Sequence, residues 1–409
     1  MISGAFGAAL AGVFQSEPPR RLGLAVSGGG DSMAMMYLAA RWAVDARVAL
    51  HVVTVDHGLR AESSSEAAMV AGCAAALDLP HDTLCWRGWD GTGNLQSAAR
   101  DARRALIADW AMHHGIGDVA TGHTMDDQAE TVLLRLARGS GIDGLAGIQD
   151  VTPGSPSWLR PLLRIRREAL RDWLRENGIS WIDDPSNDNP RFDRVRARAL
   201  QGHLSDLGLT PERLATLADH MGNARIVLRG EAVALARRIV VQQGGDILID
   251  RRGFDAAPAE LQNRLLAGAM MWIASAPYRP RFIALGRYAH RQGTLAGCLL
   301  RDEGGLFRLT REYNAVKDMR GPTDQPWDSR WQMNGPHDPA LHIAALGAHG
   351  LQHCPAWRTT GLPPASLRAS PAVWQDETLI AAPLAGLENG WSARLAPDRD
   401  DFATYLLSH

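Results

Sequence analysis

The sequence predicts an α/β fold: a parallel sheet flanked by helices, then a helical segment, then a small β-containing C-terminal segment. Three observations carry this. The apolar run at residues 22–26 breaks at Ser27-Gly28-Gly29-Gly30-Asp31-Ser32 and turns apolar again, which is the order strand, glycine loop, helix. Short apolar runs alternate with helical patterns through residue 137. Beyond about residue 205 this alternation stops.

Taken in order, strands are expected at 22–26, 48–56 and 118–121, each a short apolar run closed by polar or glycine residues. Helices are expected at about 32–44, 64–77, 95–114 and 125–137. The stretch before them, MISGAFGAALAGVF, is apolar but has no basic n-region, so it reads as a frayed amphipathic N-terminus and not as a signal peptide. Residues 211–243 read as helices, a strand is expected at 247–250, and a long helix near 258–275. Residues 325–409 are rich in Pro, Gly and Trp and read as short strands. A chain of 409 residues exceeds one ordinary core, and the divisions drawn from texture are 1–205, 206–324 and 325–409.

Composition narrows the chemistry. No run approaches 18 uninterrupted apolar residues, so a membrane span is not expected. Cys73, Cys85, Cys298 and Cys354 are scattered and form no CxxC, which argues against a zinc or iron–sulfur site or a disulfide framework and fits a cytoplasmic protein. Lys317 is the only lysine. Phosphate contacts must therefore come from backbone N–H groups and arginine forks.

In a parallel sheet the ligand sits at the carboxyl ends of strands, so the segments following strands are the candidates. The glycine loop gathers N–H groups and the positive end of a helix dipole, an arrangement suited to phosphate; an ordinary tight turn is the alternative. It is neither GxxxxGK[ST] nor GxGxxG. VDHGLR, residues 55–60, either borders a bound base or is a surface turn. In ATGHTMDDQAET, residues 120–131, Thr124-x-x-Asp127 reads as a capping box. Capping does not account for His123, Asp126, Asp127 and Glu130 together; such a cluster either holds a cation or accepts a proton from a nucleophile. On AARDARRAL, Arg100 and Arg103 share a helix face, as a solvated stripe or as a clamp on phosphate charge.

SGGxDS is the signature of the PP-loop ATP pyrophosphatases, which this chain resembles. The blocks SGGGDS, VDHGLR, ARDARR, GHTMDDQAETVLLRLARGSGIDGLAGI, LRPLLRIRREAL and DDPSNDNPRFDRVRARAL, between residue 22 and about 200, occur in the order seen in the tRNA(Ile)-lysidine synthetases. Weaker similarity reaches residues 362–386. The resemblance implies a PP-loop nucleotide-binding domain that uses ATP and Mg²⁺ to join free L-lysine to C2 of the wobble cytidine of an isoleucine tRNA with a CAU anticodon. The cytidine oxygen attacks the α-phosphate, and the lysine amine then expels AMP.

By the same resemblance, Ser27, Gly28, Gly29, Gly30, Asp31 and Ser32 hold ATP, with Asp31 and Asp127 at the Mg²⁺. Arg103, His123 and Asp127 support adenylation, and Asn187 sits near the target base or the lysine, unless DPSN is a plain Asx turn. Arg100, Asp126, Glu130, Arg194 and Arg196 are secondary candidates. Where family members carry RNRIR, this chain has Arg194-Val195-Arg196-Ala197-Arg198, so the family's amide is replaced by Val195. Residues 225–308 hold 13 arginines against 7 acidic residues, read either as a tRNA-contacting surface or as a solvated face. Two other functions compete: cytidine 2-thiolation, for which paired cysteines are wanting, and ATP-sensing RNA binding without turnover, which would not need the charged cluster around Asp127. The oligomeric state is left open, a homodimer among the options.

Overall fold

A computed structural model describes residues 2–15, 17–58, 63–89, 95–183, 193–276, 293–399 and 401–408. The chain divides into two compact units, Met1–Arg225 and Ile226–His409. This differs from the three-way division drawn from texture, and each unit is built as follows.

The first unit opens with α1 (Ile2–Phe14), followed by β1 (Arg21–Ala25), α2 (Gly30–Ala46), β2 (Ala49–Asp56), α3 (Ser63–Ala76), β3 (His81–Cys85) and α4 (Leu95–His113). It continues through β4 (Asp118–Thr121), α5 (Met125–Ala137), α6 (Ile142–Leu145), β5 (Val151–Thr152), β6 (Ser157–Leu159), α7 (Arg167–Glu176) and α8 (Asp193–Asp206) to the first part of α9 (Pro211–Ile239). The sheet order is β3-β2-β1-β4-β6-β5. All pairs are parallel except β5 with β6. The helices expected after the first three strands form within two residues of their predicted ends. β3 was not foreseen because its sequence, HDTLC, is a half-exposed edge strand with no apolar run.

α2 packs on both β1 and β2 and against α1 and α7. That is why it is apolar nearly all round, with Met33, Met35, Met36 and Leu38 essentially without exposure. Each such side chain contributes about 1.5–3 kcal/mol on burial. The expected frayed N-terminus is instead a regular helix: Phe6 and Leu10, one turn apart, are buried in the same core as α2.

In the second unit α9 ends at Ile239, and β7 (Val240–Gln243) turns through Gly244 and Gly245 into β8 (Asp246–Asp250). The helix expected through residue 243 stops early because β-branched Ile239-Val240-Val241 meets a two-glycine hairpin. α10 (Arg251–Asp255), α11 (Ala259–Ala274), β9 (Gly293–Leu295), β10 (Cys298–Asp302) and β11 (Leu306–Arg311) follow. A five-stranded sheet, β7-β8-β11-β10-β9, packs against α11, so the segment read as helical carries a sheet as well. Residues 320–395 add a four-stranded and a two-stranded antiparallel sheet of short strands, as their composition predicts. No helix among the described residues is long and apolar enough to cross a membrane.

Candidate active site

β1 lies between β2 and β4, so the strand order reverses there, and Ala25 sits beside Thr121 at the carboxyl ends. A crevice at such a switch point is where open α/β sheets bind ligands. The two most distinctive segments of the sequence follow these two strands. Gly28 has φ +87°, and a Cβ there would lie 2.8 Å from the Ile182 side chain. The Ile182 N–H donates to the Gly28 carbonyl at 2.9 Å, so residues 181–182 fasten the loop from outside. Ser32 Oγ donates to the Gly29 carbonyl (2.9 Å) and accepts from the Ser27 N–H (3.1 Å). The turn therefore closes on itself and delivers the first N–H groups of α2, which have no acceptor within the helix, to one point.

Gly122 brings the end of β4 against that point, since a Cβ there would lie 3.0 Å from the backbone of Ser32. Thr124 then caps α5: it accepts from the Asp127 N–H, while its own N–H donates to Asp127 Oδ2 at 2.8 Å. The capping reading is thus realised and occupies only one carboxylate oxygen. Asp127 Oδ1 accepts from Arg167 at 2.9 Å, and the same guanidinium reaches Asp31 Oδ2 at 2.9 Å and Glu130 Oε1 at 3.3 Å. Glu130, fully buried, also accepts from Arg198 at 3.0 Å. Asp31 Oδ1 and Glu130 Oε2 are buried with no hydrogen-bond partner.

These environments separate the titrations. Burial pushes Asp31 up against the pull of Arg167. Burial opposes ionisation of Asp127 too, but Arg167, the Thr124 N–H and His123 hold it below the usual carboxylate range. His123 is pushed down to about 4 by burial, against the pull of Asp127 and helped by the charges of Arg160, Arg194 and Arg100. It is therefore a neutral imidazole at pH 7, with Nδ1 3.0 Å from Thr121 Oγ1.

His123 faces a cavity of about 420 Å³ whose walls include Arg100, Arg135, Arg160, Arg194 and Arg225, with Asp143 the one carboxylate. Burial and the neighbouring charges of Arg104 and Arg100 lower Arg160 to about 10. Arg103 is depressed by desolvation and then by Arg100 and Arg194; desolvation and then Arg103 hold His57 below its ordinary value. Clustered guanidinium groups that raise one another's energy are a receptor for a polyanion, which relieves that repulsion on binding.

Comparison with known proteins agrees. The PP-loop domain family matches residues 5–202. The tRNA(Ile)-lysidine synthase of Ruegeria pomeroyi is 48% identical over 402 residues, 97% of this chain and 96% of that protein. The chain belongs to the tRNA(Ile)-lysidine synthase family. Another tRNA(Ile)-lysidine synthase, from a Bradyrhizobium species, is 46% identical over 261 residues, 61% of this chain and 73% of its own length. The U34-tRNA thiolase NcsA of Methanococcus maripaludis is structurally similar at TM-score 0.46 and 15% identity, covering 53% of this chain and 78% of that one. Lysidine synthesis, a ligase activity, stands over the thiolation and non-catalytic readings.

Within this lysidine synthase fold, Asp31, Asp127 and Glu130 converge on Arg167, and His123, Arg100 and Arg194 converge on the cavity. Arg103 is not among the cavity residues and lies toward His57, at the end of β2. Asp126 turns away: it accepts from the Arg167 N–H at 2.7 Å and pairs with Arg166, capping α7. Arg196 pairs with neighbouring Asp193 on the outside. Asn187 and Arg60 lie outside the described residues. Arg160 and Arg167 were missed, although both stand in LRPLLRIRREAL; the partners of Arg167 are distant in sequence, and Arg160 is held by Gln149 and Thr152 in a stretch with no charged pattern to mark it. Arg135 stands in the block GHTMDDQAETVLLRLARGSGIDGLAGI without a pattern that singles it out, and Arg225 had no local signal.

Proposed function

We propose that this chain joins free L-lysine to C2 of the wobble cytidine of an isoleucine tRNA with a CAU anticodon, at the expense of ATP. The observation that supports this most is the abutment of the glycine loop, the Asp31–Asp127–Glu130 cluster and the arginine cavity at one switch point, in a chain related over nearly its whole length to lysidine synthases.

The loop from Ser27 to Ser32 and the start of α2 receive the ATP phosphates. The cytidine O2 attacks the α-phosphorus, the α–β bridge breaks, and pyrophosphate departs toward Arg100, Arg160 and Arg194, whose charges are already in place. His123, neutral and bonded through Nδ1 to Thr121, takes up a proton on its other ring nitrogen as negative charge gathers around it and then donates that hydrogen to the phosphate. The lysine amine then attacks C2, a C–N bond forms and AMP leaves. Glu130 Oε2, buried and without a hydrogen-bond partner, is the residue we assign to accept the ammonium proton, once substrate binding brings the amine to it.

The residues present fit Mg²⁺ at Asp31, whose Oδ1 is an unengaged oxygen beside the phosphate loop; the ion would neutralise phosphate charge there. Asp127 fits less well as a ligand because both its oxygens are engaged, and we assign it to orienting Thr124 and sustaining His123. In the second unit, exposed Arg237, Arg238, Arg252 and Arg301 are the proposed phosphate-contacting surface for tRNA. The test is mass analysis of nucleosides from isoleucine tRNA after incubation with ATP and isotopically labelled lysine. A labelled lysidine nucleoside is expected; unmodified cytidine despite ATP consumption would refute the assignment.

A further inference from the structure

The end of the sheet opposite the glycine loop holds a second cluster that lysidine synthesis does not use. His51 is near the start of β2, Asp82 near the start of β3, and His114 immediately follows α4. His51 Nε2 lies 2.9 Å and His114 Nε2 3.3 Å from the same oxygen, Asp82 Oδ2. Among the described residues this is the one group of three His, Cys, Asp or Glu whose ligand atoms all lie within 4.8 Å of one another. The two imidazole rings are 4.4 Å apart, edge to face.

We propose that His51, Asp82 and His114 form a binding site for a divalent transition-metal ion of the zinc class. Two imidazole nitrogens and one carboxylate oxygen are a common ligand set for such ions, and metal–ligand bonds of about 2.0–2.1 Å place tetrahedral ligand atoms roughly 3.3 Å apart, the spacing His114 Nε2 keeps from Oδ2, while His51 Nε2, at 2.9 Å, would move outward slightly to admit the ion. Trp110 Nε1 donates to Oδ2 at 2.8 Å and fixes the carboxylate, as outer-shell donors do around metals. The side chains are 20%, 40% and 38% exposed, so an ion can enter and bring water as a fourth ligand.

The other groups facing the cluster are Arg21, which donates to the His114 carbonyl at 2.7 Å, and His81, whose Nε2 is engaged by Thr54. Arg21 moderates affinity and does not block the site. The ion would tie the carboxyl end of α4 to β2 and β3, while the same helix carries Arg100 and Arg103 in its first half. The proposed site is thus a clamp on the helix that presents those arginines.

The test titrates the metal-stripped full-length protein with Zn²⁺ by calorimetry and with Co²⁺ by visible absorption. One equivalent bound and a Co²⁺ spectrum of a four- or five-coordinate nitrogen–oxygen site are expected, and affinity should fall at least tenfold in Asp82→Asn and in His114→Gln. Circular dichroism establishes that each variant is folded. Because a variant can fail to fold, the unaltered protein is also followed by NMR: Zn²⁺ should shift two histidine ring signals at one equivalent. Absence of saturable binding, equal affinity in a folded variant, or unchanged ring signals would overturn the proposal, the last two assigning any bound ion to cysteines or other histidines.

Discussion

The arginine cavity of the first unit and the buried arginines of the second differ in how their charge is met. In the first, Arg100, Arg160 and Arg194 surround a cavity of about 420 Å³ in which one carboxylate stands among five guanidinium groups. In the second, Arg308 is buried and bonded to Asp246, Glu303 and Gln243, and Arg311 forms a two-point pair with Asp328. Arg330, 2% exposed, donates to the Gly245 carbonyl and lies over Trp272 and Trp331. The basic excess counted along residues 225–308 therefore overstates the surface available to RNA, since Arg264 and Arg308 are inside the fold. Arginine content does not report binding; whether the guanidinium is matched by carboxylates decides it.

Arg167 tests this from the other side, because it is a matched arginine inside the catalytic unit. Arg167→Met strands three buried or half-buried carboxylates and should destabilise the first unit by about 3–5 kcal/mol, as Arg308→Met should the second. Denaturant unfolding measures both. Only Arg167→Met should also abolish pyrophosphate release, and equal loss in both variants would erase the distinction.

Asp31→Ala removes both the unengaged Oδ1 and the Oδ2 partner of Arg167, so a loss of tRNA-dependent pyrophosphate release of roughly 10²- to 10³-fold is expected together with a destabilisation smaller than that of Arg167→Met, because Arg167 keeps Asp127 and Glu130. Near-normal turnover would remove Asp31 from the metal site. Arg194→Ala, on the cavity wall, should weaken ATP binding roughly tenfold or more, the worth of one charge-assisted hydrogen bond, and leave stability unchanged.

The smallest effect concerns pH. His123 holds its pKa near 4 in the fold against an ordinary 6.5, so the unfolded chain binds a proton there that the folded chain refuses. The corresponding stability is complete above about pH 6.5 and is lost as pH falls toward 4. Urea unfolding at pH 7 and pH 5 should show a smaller loss in His123→Gln than in the unaltered protein. Pyrophosphate, by neutralising Arg160, Arg194 and Arg100, should raise the His123 pKa, which histidine NMR can follow.

Much of the site was legible because its signals are contiguous: Ser27 to Ser32 and His123 to Glu130 each sit on one strand-to-helix turn. Strands β1, β2 and β4 announced themselves by apolar runs, whereas edge strand β3 did not, its inward positions being only half-buried. Arg167 was illegible for a different reason. Its role arises from Asp31 and Asp127, 136 and 40 residues away, brought together only by the β1–β4 pairing. Likewise Arg103 and Arg100 look equivalent on a helical wheel, yet Arg100 lines the cavity and Arg103 lies toward His57.

The most direct measurement is the dissociation constant of inorganic pyrophosphate, by calorimetry, for the unaltered protein, the Arg100→Ala/Arg194→Ala variant of the first unit and the Arg237→Ala/Arg238→Ala variant of the second. A loss of at least tenfold in the first variant and none in the second is expected. Undiminished pyrophosphate affinity in Arg100→Ala/Arg194→Ala, with the protein folded, would contradict the assignment of the arginine cavity to the departing phosphates.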